Sequence, residues 1–246
     1  MINVQQLTKI FEQKKGGDII AVDTVSFSCK TGEIYGLLGP NGAGKTTTLR
    51  LLSTALKPSS GTAEVNGHDI VREPDAVRAD IGFLSSATGL YRRLTAREMI
   101  EYFGRLNNMD EARLKQRVDE LIELMGMSDF AGRKCDKLST GQKQRVSICR
   151  SIVHDPPVMI FDEPAEGLDI IAAEIIVEFI KKCRNQGKCV IFSSHIMREA
   201  EQLCDRIGII NMGRMIAEGT QEDLKKRFSA KDLDAVFRNA VGNSTF

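Results

Sequence analysis

A chain of 246 residues, 42% hydrophobic and 27% charged, has enough apolar material for a sizeable core, and its composition argues against disorder. Its formal net charge of +1 gives no electrostatic reason to expect nucleic acid or an anionic membrane surface as the main partner. No apolar run approaches the roughly 18 residues of a membrane-spanning helix, and MINVQQLTKIF lacks the charged and apolar regions of a signal peptide, so any membrane role is expected to come through a partner chain.

In chain order, IIAVDTVSFS and TAEVNGHDI alternate apolar and polar residues and read as half-exposed strands, with K-T-G and N-G as turns. Between them EIYGLL is a short apolar strand that enters a glycine-rich turn and then a helix, TTTLRLLSTAL. From about residue 87 to 157 strand signals vanish. TAREMIEYFGRL and DEARLKQRVDELIELMGM carry apolar residues at helical spacing, and their Met and Leu stripe reads as packing. LSTGQKQR follows, with Ser139 and Gln142 fitting a capping box ahead of a helix striped by Val146, Cys149, Ile152 and Val153. Donors at such a helix start point outward, toward an anion.

After Pro156-Pro157 an α/β rhythm returns: strand VMIF, helix IIAAEIIVEFIKKCRNQG, strand CVIFSSH, helix MREAEQLCD and hairpin RIGIINMGRMIAEG. Continuous apolar strands separated by helices predict a parallel sheet covered on both faces. Beyond Lys225 the only pattern is a weak amphipathic segment, DLDAVFRNAV, in an otherwise fraying tail. The cysteines (Cys29, Cys135, Cys149, Cys183, Cys189, Cys204) show no C-x-x-C pair or metal-ligand spacing, and read as reduced core residues of a cytosolic protein.

Three stretches carry chemistry. GPNGAGKT matches G-x-x-x-x-G-K-[ST] between a strand and a helix, so Gly39, Pro40, Asn41, Gly42, Ala43, Gly44, Lys45, Thr46 and Thr47 are the predicted phosphate cradle of a nucleoside triphosphate. Lys45 adds a point charge there, and the Thr46 hydroxyl can ligate Mg²⁺. VMIFDEP ends a buried strand in Asp162, the predicted Mg²⁺ holder, and Glu163, the predicted base for the attacking water. Paired acids after a strand also occur as solvated loop residues. His195 ends another apolar strand on the same edge and reads either as a γ-phosphate contact that orients water or as a structural histidine.

GPNGAGKTT, LSTGQ, FDEPAEGLD and SSHIMREAE, in this order, resemble the nucleotide-binding subunit of ABC transporters over about Ile2 to Phe228. The resemblance implies a P-loop NTPase of the ABC ATPase type: an α/β fold with a mainly parallel sheet core, an antiparallel β subdomain and an inserted helical subdomain. It implies one ATPase domain over 1–228, with the nucleotide-binding core and β subdomain in 1–86 and 158–228, the helical signature subdomain in 87–157, and a tail in 229–246. ATP and Mg²⁺ are the implied ligands. Two copies would face head to tail, each ATP lying between one P-loop and the other copy's LSTGQ, so that Ser139, Thr140, Gly141, Gln142 and Asp169 touch the partner's nucleotide. Phe11 would stack on adenine where the family usually has Tyr, although a core phenylalanine is the other reading. Ser86, in IGFLSS, stands where the family's Gln contacts Mg²⁺; serine is too short for the same reach, which puts that contact in doubt.

SATGLYRRLTARE, AVDTVSF and HIMREAEQLCDRIGII are further similar to bacterial sodium-export ATPases of the NatA type, while subunits handling drugs, antibiotics or polysaccharides are close alternatives. The expected protein is an ATPase at the cytoplasmic face of the cell membrane, driving a separate transmembrane permease, with no nucleic-acid partner. Tyr91, Arg92 and Arg93 are either its docking surface for that permease or a solvated charge cluster. A soluble ABC protein acting on ribosomes or DNA would typically have two cassettes, a coiled-coil insertion or zinc cysteines. A non-hydrolysing scaffold would need a broken catalytic set, whereas Lys45, Asp162, Glu163 and His195 are all present.

Overall fold

A computed structural model describes residues 1–13, 17–85 and 89–242. The chain starts with two antiparallel strands, β1 (Ile2–Phe11) and β2 (Ile19–Cys29), followed by the apolar strand β3 (Ile34–Leu38) and helix α1 (Lys45–Leu52). TAEVNGHDI divides at the Asn66-Gly67 turn into β4 (Ser60–Val65) and β5 (His68–Asp69), and the first sheet runs β2-β1-β4-β5. Helix α1 is shorter than expected, because Thr54 takes a φ of 60° in the left-handed region and STAL leaves the helix after Leu52. Helix α2 (Pro74–Asp80) and the short strand β6 (Ile81–Leu84) follow.

The block without strand signals is helical: α3 (Ala96–Leu106), α4 (Glu111–Leu124) and α5 (Thr140–Ile152). Each start is chemically marked. Thr95 and Glu98 form a capping box on α3, Asp110 caps α4, and Ser139 with Gln142 forms a capping box on α5. The Met and Leu stripe packs, with Met99, Ile100, Leu114, Val118, Leu121 and Met125 all buried in one cluster.

The remaining elements are β7 (Val158–Asp162), α6 (Ile170–Asn185), β8 (Cys189–Ser194), α7 (Met197–Leu203), β9 (Arg206–Asn211), β10 (Arg214–Gly219), α8 (Gln221–Arg227) and α9 (Leu233–Gly242). The second sheet is ordered β10-β9-β3-β8-β7-β6, parallel except for the β10–β9 hairpin. Every residue of β3, β7 and β8 is buried, because successive side chains feed opposite cores. Ile34, Leu38, Phe161 and Phe192 enter the larger cluster beneath the helical block; Tyr35, Leu37, Ile160 and Ile191 enter the one shared with α1 and the antiparallel sheet. This explains why these strands read as unbroken apolar runs.

All six cysteines are buried free thiols. The weak amphipathic segment DLDAVFRNAV forms α9, which buries Leu233, Val236 and Ala240 in the larger cluster. Leu233→Ala should therefore cost about 2–5 kcal/mol in urea unfolding; a loss below about 0.5 kcal/mol, the size of a surface change, would detach α9 from the core.

Candidate active site

Strand register brings the predicted site residues to one edge. In the parallel pairs Leu38 lies opposite Ser194, and Asp162 lies opposite Ser193. Gly39, Glu163 and His195 therefore all leave the sheet at its carboxyl edge, where open α/β sheets bind ligands. At Gly39 a Cβ would sit 2.4 Å from the Ile210 carbonyl oxygen, so no side chain fits. Gly44 has a φ of 107° and caps α1 with no side-chain hydrogen bond, leaving the first-turn N–H groups to an outside acceptor. Lys45 Nζ donates to the Gly39 and Pro40 carbonyls (2.8 and 3.2 Å) and pairs with Glu163 Oε1 at 3.3 Å.

The cavity here is about 160 Å³, lined by Ala21, Asn41 to Thr47 and Glu163. Small-molecule pockets usually hold about 300–1,000 Å³. The cavity has room for a phosphate group and not for a whole nucleotide.

Behind Lys45, Asp162 Oδ1 accepts from the Thr46 hydroxyl (3.0 Å) and the Ser193 hydroxyl (2.7 Å). Asp162 is 1% exposed, and its Oδ2 is buried with no hydrogen-bond partner among the described residues. A buried carboxylate oxygen without a partner is costly unless something positive binds it. Together with the Thr46 hydroxyl it is a hard-oxygen set that fits Mg²⁺. The structure does not describe Ser86, which lies outside the described residues.

Glu163 has a φ of 50°, the left-handed region that a non-glycine residue rarely adopts, and its N–H donates to Ser193 Oγ (3.0 Å). Its Oε2 lies 2.9 Å from His195 Nδ1. The turn carrying His195 is held by Ser194, whose hydroxyl accepts from the Ile196 N–H (3.0 Å) and donates to Glu199 (2.6 Å). Burial pushes the Glu199 carboxyl above its ordinary pKa. Lys45, Glu163 and His195 form one line of charge and hydrogen bonds, suited to positioning water beside an anion. Ser193 and Ala21 belong to this site and were not singled out in the sequence; only the pairing of β7 with β8, and the approach of β2 to the loop, reveals them.

The other predicted contacts lie elsewhere. Ser139 Oγ accepts from the Gln142 N–H and Gln142 Oε1 accepts from the Ser139 N–H, so within one chain both side chains serve the capping box. Asp169 caps α6 through the Ala172 N–H (2.8 Å). Ser139, Gly141 and Asp169 line an open cavity of about 770 Å³ that shares no lining residue with the phosphate cavity. Gln144 ties the two regions by donating to the Pro164 carbonyl at 2.7 Å. Phe11 is 39% exposed at the end of β1, with Lys9 Nζ 5.3 Å from its ring centre, and does not line the phosphate cavity. Tyr91, Arg92 and Arg93 are exposed, and Tyr91 packs edge-on against Tyr102.

A family model described as ABC transporter matches residues 22–166. The chain is 41% identical over 242 residues, 98% of each chain, to the ABC transporter ATP-binding protein NatA of Bacillus subtilis (strain 168). It is 38% identical over 228 residues, 93% of this chain and 72% of the relative, to the daunorubicin resistance ATP-binding protein DrrA3 of Streptomyces coeruleorubidus. Among solved structures, a dimeric post-hydrolysis state of the ATP-binding cassette MJ0796 bound to ADP and phosphate superposes with a TM-score of 0.82 at 28% identity, covering 89% of this chain and 98% of that one.

Ser193 holds both Asp162 and the Glu163 backbone, so Ser193→Ala should lower kcat for ATP about tenfold while KM stays within about twofold. Steady-state phosphate release checks this, and an unchanged kcat would remove Ser193 from the machinery.

Proposed function

This chain belongs to the ABC transporter family as an ATP-binding, ATP-hydrolysing subunit, and we propose that two copies close head to tail on ATP to drive a separate membrane-spanning exporter. One observation carries this reading. The loop before α1 and the start of α5, the two stretches whose sequence suits phosphate, line cavities with no residue in common. A second copy facing the first in reverse orientation would bring one copy's Ser139, Thr140, Gly141, Gln142 and Asp169 over the other's nucleotide. Likeness to a cassette solved as a dimer supports the pairing.

In this reading the backbone of Gly39 to Thr47 and the Lys45 ammonium hold the β- and γ-phosphates. Asp162 and Thr46 hold Mg²⁺, which when bound neutralises phosphate charge. Glu163 orients a water against the γ-phosphorus and takes its proton as the bond to the leaving ADP oxygen breaks. His195, 2.9 Å from Glu163, fixes that carboxylate and reaches for the γ-phosphate. The start of α5 favours the triphosphate through its dipole. Closure is therefore stronger with ATP than with ADP, and only such a difference can do mechanical work. Phe11 offers an exposed ring face for the adenine.

Among the described residues no helix is long and apolar enough to cross a membrane; in this reading a separate permease supplies the spans. The helical block with Tyr91, Arg92 and Arg93 is its docking surface in this reading, at the cytoplasmic face of the cell membrane. The resemblance of its motifs to sodium-export ATPases favours Na⁺ as cargo, and likeness to a daunorubicin resistance subunit favours a drug exporter as the second reading. Ion flux in vesicles carrying both chains separates them.

Glu163→Gln should bind ATP, accumulate a closed dimer in gel filtration and lose at least about 100-fold in turnover; phosphate release near the wild-type rate would exclude Glu163 as base. Ser139→Glu places a negative charge against the facing triphosphate. It should abolish ATP-dependent dimerisation with ATP binding to the single chain unchanged, and normal dimerisation would exclude the facing contact.

A further inference from the structure

Glu166 lies on the turn after β7, exposed to solvent, and its N–H donates to the Glu163 carbonyl at 3.2 Å. This turn folds its carboxylate back toward Glu163 and His195. One ligand atom from each of Glu163, Glu166 and His195 lies within 4.8 Å of the other two. ATP hydrolysis as described above uses Glu163 and His195 and gives Glu166 no task.

Imidazole nitrogen and carboxylate oxygen are both zinc ligands, and open zinc sites use three protein ligands and keep a fourth position for water. Bonds of about 2.0–2.1 Å in a tetrahedral site place ligand atoms about 3.3 Å apart. The group brackets that spacing, with 2.9 Å between Glu163 Oε2 and His195 Nδ1 and the exposed Glu166 carboxylate within 4.8 Å of both. Its chemistry differs from that of Asp162 and Thr46. Mg²⁺ demands oxygen ligands in near-octahedral geometry, whereas imidazole favours borderline ions such as Zn²⁺. Lys45, 3.3 Å from Glu163 Oε1, opposes a second cation here. That repulsion suits a reversible inhibitory ion better than a permanent structural one.

We propose that Glu163, Glu166 and His195 form a Zn²⁺ site, and that Zn²⁺ bound there arrests ATP hydrolysis by occupying the carboxylate and imidazole that position the attacking water. The binding half stands on geometry alone; the arrest rests on the role given to Glu163 above. Competing surface sites are few among the described residues. The six cysteines are buried, His154 bonds the Ile81 carbonyl, and His68 sits between Glu73 and Asp80.

The test titrates Zn²⁺ alone into the nucleotide-free full chain, in competition with a chromophoric chelator. Wild type should bind, Glu166→Gln should bind at least about tenfold more weakly, and Glu166→His should bind more tightly by supplying a second imidazole. His68→Gln should match wild type. In steady-state assays with saturating Mg-ATP, Zn²⁺ should inhibit wild type, and Glu166→Gln should raise the half-inhibiting concentration by the same factor with its zinc-free rate unchanged. Equal Zn²⁺ affinity in wild type and Glu166→Gln would overturn the site. Binding as expected with turnover untouched would overturn the arrest, and with it the role of Glu163, while leaving the site itself in place.

Discussion

The chemistry of this chain depends on the in-register parallel pairing of β3, β8 and β7. Leu38 opposite Ser194 and Asp162 opposite Ser193 put the phosphate loop, both acids and the histidine on one edge. A slip of one residue in β7 would turn Asp162 to the other face and break the chain from Thr46 through Asp162 to Ser193. What prevents the slip is burial on both faces: alternate residues of each strand are committed to different cores, and a slip would exchange them. The site inherits its precision from this packing rather than from its loops.

Lys45 is the electrostatic pivot of that edge. It touches two carbonyls of its own loop and the Glu163 carboxylate, while Glu163 also meets His195. In the proposed mechanism a phosphate in the cradle would compete with Glu163 for the ammonium and so loosen the carboxylate toward water. The Glu163 backbone stays fixed meanwhile, because Ser193 accepts its N–H while donating to Asp162. On that proposal, nucleotide binding and readiness for hydrolysis would be coupled through Lys45.

Much of this was legible in the sequence, for physical reasons that differ by element. The phosphate loop is visible because glycine is required where no Cβ fits, at Gly39, and where φ is positive, at Gly44. The buried strands are visible because their apolar runs are unbroken. Strand β1 was missed because Gln5 and Gln6 interrupt its alternation, and Gln6 takes a φ of 48° at the point where the pairing shifts register. Strand β6 and helices α2 and α8 span four to seven residues, too few for a period to show. Helix α9 was legible as amphipathic, but nothing local says what its apolar side meets. Ser193 was hidden beside the more conspicuous His195, since its role exists only through a strand 31 residues away. The capping box on α5 was plain, whereas the facing nucleotide proposed for it would belong to geometry that a single chain does not contain.

The most direct measurement of that shared geometry mixes two inactive proteins, Lys45→Ala and Ser139→Glu, and follows ATP turnover. A mixed pair joins the intact cradle of one to the intact α5 start of the other, so an equal mixture should recover turnover that neither protein shows alone, each mixed pair having one of its two sites intact. No recovery at any mixing ratio, in samples where mixed pairs are shown to form, would contradict the account.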